Sequence, residues 1–337
     1  MSFLSQFRKT PLVIAEIGAK YADMPVLKEM VRSAVACGVD MVKFQTFQAR
    51  TIATPGSYFT FDDGSRVPQS EWFQKYELTR DDHVELIDLC RELGVAWMST
   101  PSHVSDLDLL EPFDPIAYKT GSDDLTNTRF LRQIAEKGRP MVVSTGMCTL
   151  AEIERAVDVI TRTGNTELIL LHCVVSYPAK AEDANLRAIE TLQRAFGLPV
   201  GLSDHTIDEF TSVLATQMGA CIIEKHFTLD HALKLPDHQA SLDPAAFKLL
   251  VDRVRLVSAA MGDGTKRILP TEEKWRAAAR KSLYAARDIA AGQIISDDDI
   301  AIRRPADGIH PHHLDLVIGR TARQAIACGA LISWDMV

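Results

Sequence analysis

"LPVGLSD" at residues 198–204 and "CIIEKHF" at 221–227 decide the fold. Each is a short apolar run that ends in charged and polar groups, with His205 just after the first and His226 near the end of the second. Short apolar runs bounded in this way read as buried strands. Working outward, the same signature recurs in "PLVIAEIG" (11–18), "DMVKFQT" (40–46), "VAWMST" (95–100), "IAYKTGS" (116–122), "PMVVSTG" (140–146) and "LILLHCV" (168–174). The stretches between them, such as "VLKEMVRSAVACG" and "TLAEIERAVDVITRTG", place apolar residues at helical spacing and end at glycine, a common helix stop. Strands alternating with helices imply parallel βαβ units. Eight of them between residues 11 and 227 predict an α/β fold of the (β/α)8 TIM-barrel type, which needs about 250 residues. An open doubly wound sheet is the alternative, but no G-x-G-x-x-G follows the first strand.

After residue 270 the pattern changes. "AAGQIIS" and "ACGALIS" each read as strand, glycine turn, strand, in a small β-rich module that is marginal in isolation. The expected division is a catalytic barrel over 1–262, a linker over 263–277 and the small domain over 278–337.

Composition narrows the function. The 337 residues are 46% hydrophobic and 24% charged, an ordinary globular balance. A net charge of −8 argues against a nucleic-acid partner, which would need a basic patch. No apolar run approaches the roughly 20 residues of a membrane span, so no membrane role is expected. The six cysteines are scattered without a CxxC pair, which fits a reduced, cytoplasmic protein and disfavours structural zinc. The N-terminal apolar run reads directly into a strand, so no secretory signal is expected.

In a barrel, catalytic groups belong at the C-terminal ends of the strands. There the sequence places Glu16, Lys43 and Gln45, Ser99 and Thr100, Lys119 and Ser122, Ser144 and Thr145, His172, Ser203-Asp204-His205, and Glu224-Lys225-His226. His205 and His226, on the seventh and eighth strands, are a candidate pair of imidazole ligands for a catalytic divalent metal, or two hydrogen-bonded rim histidines. Lys43, Lys119 and Lys225 are expected to converge on the mouth and hold an anionic substrate. One of them as a Schiff-base lysine is the rival. Glu16 and Asp237 are candidate acid/base groups, or partners of those lysines. Ser122, Ser144 and Ser203 can donate to phosphate, or serve only as turn residues.

In order, "AEIG" (15–18), "VKFQTF" (42–47), "STP" (99–101), "YKTGS" (118–122), "VVSTGM" (142–147), "LLHC" with "YP" (170–178), "NLRAI" (185–189), "GLSDHT" (201–206), "EKHFT" (224–228), "PDHQASLDP" (236–244) and "RRPADGI" (303–309) closely resemble the sialic acid synthase family. That family includes the legionaminate and pseudaminate synthases and the spore coat polysaccharide biosynthesis protein E group. The resemblance covers nearly the whole chain and implies a TIM barrel followed by a C-terminal antifreeze-like (SAF) domain. It implies condensation of phosphoenolpyruvate with an N-acylated hexosamine, such as N-acetylmannosamine, to a nonulosonic acid and phosphate by C–O cleavage. It implies a Mn2+ or Mg2+ ion on His205 and His226 and water-proton handling by Glu16. Lys43, Thr100, Lys119, Ser122, Ser144 and Ser203 match phosphoenolpyruvate-holding groups. Gln45, Asp237, Asp124 and Tyr177 match sugar-site residues. Arg304 matches an arginine that reaches from one subunit's SAF domain into the other's barrel, which implies a domain-swapped homodimer.

Three departures from the family pattern point at the sugar rather than at the reaction. Ala19-Lys20-Tyr21 stands where Asn-His is common after "AEIG". Asp123-Asp124 stands where Gly-Glu is common, so the carboxylate is one methylene shorter. Val174-Val175 replaces polar residues after "HC". The other readings that stay open are a lysine aldolase and a non-catalytic carbohydrate-binding relative.

Overall fold

The computed structural model describes residues 2–6, 11–20, 22–60, 64–233 and 238–337. The chain forms two compact units, Met1–Gly262 and Asp263–Val337. Strands β1 (Leu12–Gly18), β2 (Met41–Thr46), β3 (Tyr58–Thr60), β4 (Arg66–Pro68), β5 (Ala96–Pro101), β6 (Tyr118–Thr120), β7 (Met141–Ser144), β8 (Leu168–Cys173), β9 (Val200–Asp204) and β10 (Ile222–His226) lie in the first unit. Eight of these close a parallel barrel in the order β1-β10-β9-β8-β7-β6-β5-β2, and all eight barrel strands expected from the sequence are present. The remaining two, β3 and β4, form an antiparallel hairpin that the apolar periodicity did not reveal, because neither has a buried residue.

Helices α1 (Met24–Ala36), α2 (Ala49–Ile52), α3 (Gln69–Tyr76), α4 (Arg80–Leu93), α5 (Val104–Leu110), α6 (Thr128–Ala135), α7 (Leu150–Thr161), α8 (Ala188–Phe196), α9 (Phe210–Gln217) and α10 (Pro244–Met261) belong to this unit. Their starts are locally encoded. Thr79 with Asp82 and Thr149 with Glu152 make reciprocal capping boxes at α4 and α7.

Strand alternation produces two cores. Outward residues such as Val13, Val42, Val143, Leu170 and Ile223 pack with the helices. Inward residues Leu12, Ile14, Met41, Met98, Val142, Ile169, Leu171 and Ile222 fill the barrel, with Phe3 beside them. One inward position must be glycine: a Cβ on Gly201 would lie 2.7 Å from Leu171 Cδ2 and from the Ile222 carbonyl oxygen.

In the second unit, the helix α11 (Pro270–Ala279) begins in the stretch read as a linker and runs past its expected end, and none of its residues is buried. Strands β11 (Ser282–Ala285) and β12 (Ile300–Arg303) pair antiparallel, and α12 (Leu314–Val317) follows. The two glycine-turn segments form no full strands; single bridges join residues in or beside them, Ile289 with Ile326 and Ile294 with Thr321. Leu283, Ile289, Ile295, Ile309, Ile326 and Ile332 make a separate small core. All six cysteines are free thiols. No helix among the described residues is long and apolar enough to cross a membrane.

Candidate active site

Two residues beyond the inward apolar layer, each strand presents another inward side chain. Where the lower position holds Ile14, Met41, Met98, Val142, Leu171 or Ile222, the upper holds Glu16, Lys43, Thr100, Ser144, Cys173 or Glu224. Gly201 on β9 is followed in the same way by Ser203. This polar layer floors a cavity of about 310 Å3 at the C-terminal end of the barrel. It is lined by Glu16, Lys43, Gln45, Thr100, Lys119, Ser122, Asp124, Ser144, Tyr177, Ser203, His205 and His226, twelve of the residues expected from the sequence.

The floor is a network of alternating charge. Lys43 Nζ lies 2.5 Å from Glu16 Oε2 and donates to Thr100 Oγ1 at 3.1 Å. Gln45 Nε2 donates to the other Glu16 oxygen at 2.8 Å. Lys119 Nζ donates to Ser144 Oγ at 2.6 Å and to the Thr120 carbonyl at 3.0 Å, and it lies 3.7 Å from Glu224 Oε1. Ser203 Oγ donates to that same Glu224 oxygen at 2.9 Å, while Glu224 Oε2 is buried without a hydrogen-bond donor among the described residues.

These surroundings separate the two carboxylates. Burial pushes Glu16 above the usual carboxylate range, against the opposing pull of the Lys43 ammonium. Burial also acts on Glu224, but Lys119 and Lys43 outweigh it and hold Glu224 at about 2. Burial pulls Lys119 below the ordinary lysine value. A carboxyl that can gain or lose a proton thus stands beside one that stays ionised, the arrangement acid/base work requires.

Beyond the lysines stand the histidines. Their ring centroids are 5.5 Å apart, and Tyr177 lies 4.3 Å from the His205 ring. His205 Nδ1 donates to the Val174 carbonyl at 2.7 Å. The proton is therefore on Nδ1, and Nε2 keeps its lone pair. Burial and the neighbouring His226 push His205 down to about 4, so the ring is neutral at physiological pH. A neutral imidazole with its far nitrogen pinned to a carbonyl is the chemistry of a metal-ligating histidine, so the pair fits a divalent ion. The described residues contain no cluster of three or more protein ligands, so such an ion would keep most of its coordination open.

The outer wall is different. Phe47, Ile52, Phe73, Met147 and Val175 line it together with Asp123 and Asp124. Phe47 and Phe73 meet edge to face at 5.3 Å between centroids. Burial and the adjacent Asp123 raise Asp124 to about 6.

Several expectations are corrected. Lys225 does not face the mouth. Glu224 and His226 take the inner face of β10, so Lys225 points outward and is buried 3.1 Å from Asp204 Oδ2. His172 is also turned outward, bonding the Ala184 carbonyl through Nε2 at 2.8 Å, because Leu171 and Cys173 hold the inner face. Ser99 and Thr145 likewise bond backbone carbonyls, those of Phe44 and Leu171. Asp237 and Tyr21 lie outside the described residues. Arg304 is exposed on the second unit. Glu224 had no role assigned from the sequence, because only the closed barrel shows that it, and not the adjacent Lys225, takes the inner face of β10. The apolar wall was missed because it comes from loop, α2 and α3 residues without strand periodicity.

The NeuB family matches residues 30–266, and the SAF domain matches 280–337. The N,N'-diacetyllegionaminic acid synthase of Legionella pneumophila is 37% identical over 337 residues, covering 97% of this chain and 95% of that protein. The N-acetylneuraminate-9-phosphate synthase of Mus musculus is 33% identical, covering 86% of this chain and 82% of the mouse protein. Among solved structures, the spore coat polysaccharide biosynthesis protein spsE of Bacillus subtilis superposes with a TM-score of 0.67 at 29% identity, covering 98% of this chain and 96% of that one.

Proposed function

The chain belongs to the NeuB family, whose relatives are nonulosonic acid synthases, and from that premise we propose that it condenses phosphoenolpyruvate with an N-acylated hexosamine, releasing phosphate. The observation that carries this reading is the meeting of Lys43, Lys119, Glu16 and the two histidines in one cavity. Lys43 and Lys119, with Thr100, Ser122, Ser144 and Ser203, supply the donors that a phosphate and a carboxylate need. His205 and His226 would hold a Mn2+ or Mg2+ ion, which supplies Lewis-acid polarisation of the sugar aldehyde when bound. C3 of phosphoenolpyruvate forms the new C–C bond to the aldehyde carbon, whose oxygen becomes a hydroxyl. Glu16 takes a proton from the water that adds at C2 and passes it to the new alkoxide. The C2–O bond to phosphate then breaks as the C2 hydroxyl gives its own proton to the departing phosphate and becomes the keto group, and the two lysines stabilise the departing charge.

The wall selects the acceptor. Asp123 and Asp124 would repel a sugar phosphate, while Phe47, Phe73, Met147 and Val175 suit acyl or methyl substituents. The acceptor is thus an unphosphorylated, acylamino-bearing hexose. The active species is a homodimer in which Arg304 of one SAF domain completes the other subunit's cavity, and the enzyme works in the cytoplasm.

The test is phosphate release from phosphoenolpyruvate with Mn2+ across N-acylated hexosamines, including N-acetylmannosamine, a 2,4-diacetamido sugar and a 6-phosphate. Chelator-sensitive release with an unphosphorylated sugar is expected. Release without metal, or covalent trapping by borohydride with pyruvate, would favour a lysine aldolase. No release with any sugar would favour the carbohydrate-binding relative.

A further inference from the structure

The pairing of β9 with β10 carries one polar couple on each face. Inside, Ser203 meets Glu224 across the register; outside, Asp204 meets Lys225. The outer couple is directly adjacent in sequence to both candidate metal ligands, since His205 follows Asp204 and His226 follows Lys225. Lys225 is 1% exposed and Asp204 2%, and no cavity substrate can reach them. All three ammonium protons are used. Nζ donates to the Thr206 carbonyl at 2.5 Å and the Asp208 carbonyl at 3.0 Å, and it sits 3.1 Å from Asp204 Oδ2. Asp204 is equally committed. Its Oδ1 accepts from the Thr206 amide at 2.9 Å and the Thr206 hydroxyl at 2.8 Å, and its Oδ2 accepts from Ser212 at 2.6 Å. The turn that carries His205 is therefore fastened to the strand that carries His226 by a cation reaching across it.

Two observations argue that this is more than packing. A buried ion pair of this kind is seldom the most stabilising filling for its volume, and apolar replacements often fold as well or better. Its bonds also run to the carbonyls of the turn itself, which an apolar pair could not hold. The Nδ1 bond of His205 to Val174 depends on that turn's position.

We propose that Lys225 and Asp204 are positioning residues that fix the separation of the two imidazoles and the Nδ1-protonated form of His205, and so set the affinity for a divalent cation. This rests on the metal reading above. Removing one charge alone would strand the other, so the first variant is the double replacement Asp204→Leu with Lys225→Met. Cooperative thermal unfolding checks that it folds. Two readouts follow. Calorimetric titration with Mn2+, without substrates, is expected to show at least tenfold weaker binding than the parent, in the range typical of lost support behind a metal ligand. Long-range 1H–15N spectra of 15N-histidine-labelled protein, without metal, are expected to show His205 losing its single tautomer. A folded double variant that binds Mn2+ within twofold of the parent and keeps the tautomer overturns the proposal. If that variant does not fold, Ser212→Ala, which removes one hydrogen bond to Asp204, carries the same test. It is expected to weaken Mn2+ binding about threefold, and no change overturns the proposal. A parent protein that binds no Mn2+ defeats the metal reading instead, and the positioning role is then decided by the tautomer alone.

Discussion

Glu16 and Glu224 show how much a residue's role depends on its neighbours. Both are buried carboxylates at strand ends, yet one is pushed up and the other held low. The difference lies in the cations: Glu224 is held down by two lysines, while Glu16 has one close partner and feels the charge of Glu224 as well. Lys119→Ala should lower kcat/KM for phosphoenolpyruvate by about 100-fold or more, since it removes a charged donor in a water-poor site. Steady-state kinetics against both substrates checks this, with the larger change on phosphoenolpyruvate. His205 has a folded value near 4, below the roughly 6.5 of an unfolded histidine. The unfolded chain therefore binds the proton first, so this contribution to stability is full above pH 6.5 and is lost as pH falls towards 4. Urea titrations across that interval should show His205→Gln losing less stability than the parent. Asp124 has the opposite sign. Its raised value means that protonation near pH 6 favours the folded state, and Asp124→Asn should flatten the dependence of acceptor KM on pH between 5 and 7.

Among the elements, β9 is the most constrained. It delivers Ser203 inward and Asp204 outward and leads into His205, and its first inward residue is Gly201. A methyl there would meet the Ile222 backbone at 2.7 Å, which a side-chain rotation cannot relieve. Gly201→Ala should cost about 1–3 kcal/mol, measured by denaturant unfolding, and weaken Mn2+ binding together with stability, because the strand that must shift leads into His205, a proposed ligand. The β3–β4 hairpin and α3 behave differently. They contribute Phe73 to the cavity wall, with Phe59 edge to face against it and against Trp72, and no residue of the polar floor. The strand periodicity that revealed the barrel is silent here, because exposed strands three residues long carry no alternation to read.

Each unit has its own core, split between the barrel interior and the helix layer in the first and single in the second. If the SAF domain of one subunit completes the other's cavity, Arg304→Ala and Lys119→Ala impair different halves of a shared site. Each variant should be nearly inactive alone, and mixed dimers after unfolding and refolding together should recover about a quarter of the parental rate. Size measurement by ultracentrifugation should show a dimer, and mixtures without recovery would mean that each chain completes its own site.

The barrel, its eight strands and the residues of its polar mouth were legible in the sequence alone. Parallel strands buried on both sides are written as apolar runs, and the fold places function at one end of all of them. The sequence could list which polar residues end each strand, but not which of two adjacent ones turns inward. Lys225 and Glu224 are neighbours, and only the register of β10 against β9 sends one to the cavity and the other to the outer face. A side chain's face depends on a period of two counted from a closed barrel, and closure is a property of all eight strands together. The charge state of Glu16 and the tautomer of His205 were likewise decided only by the tertiary structure, because Lys43 and the Val174 carbonyl reach them from distant positions in the chain.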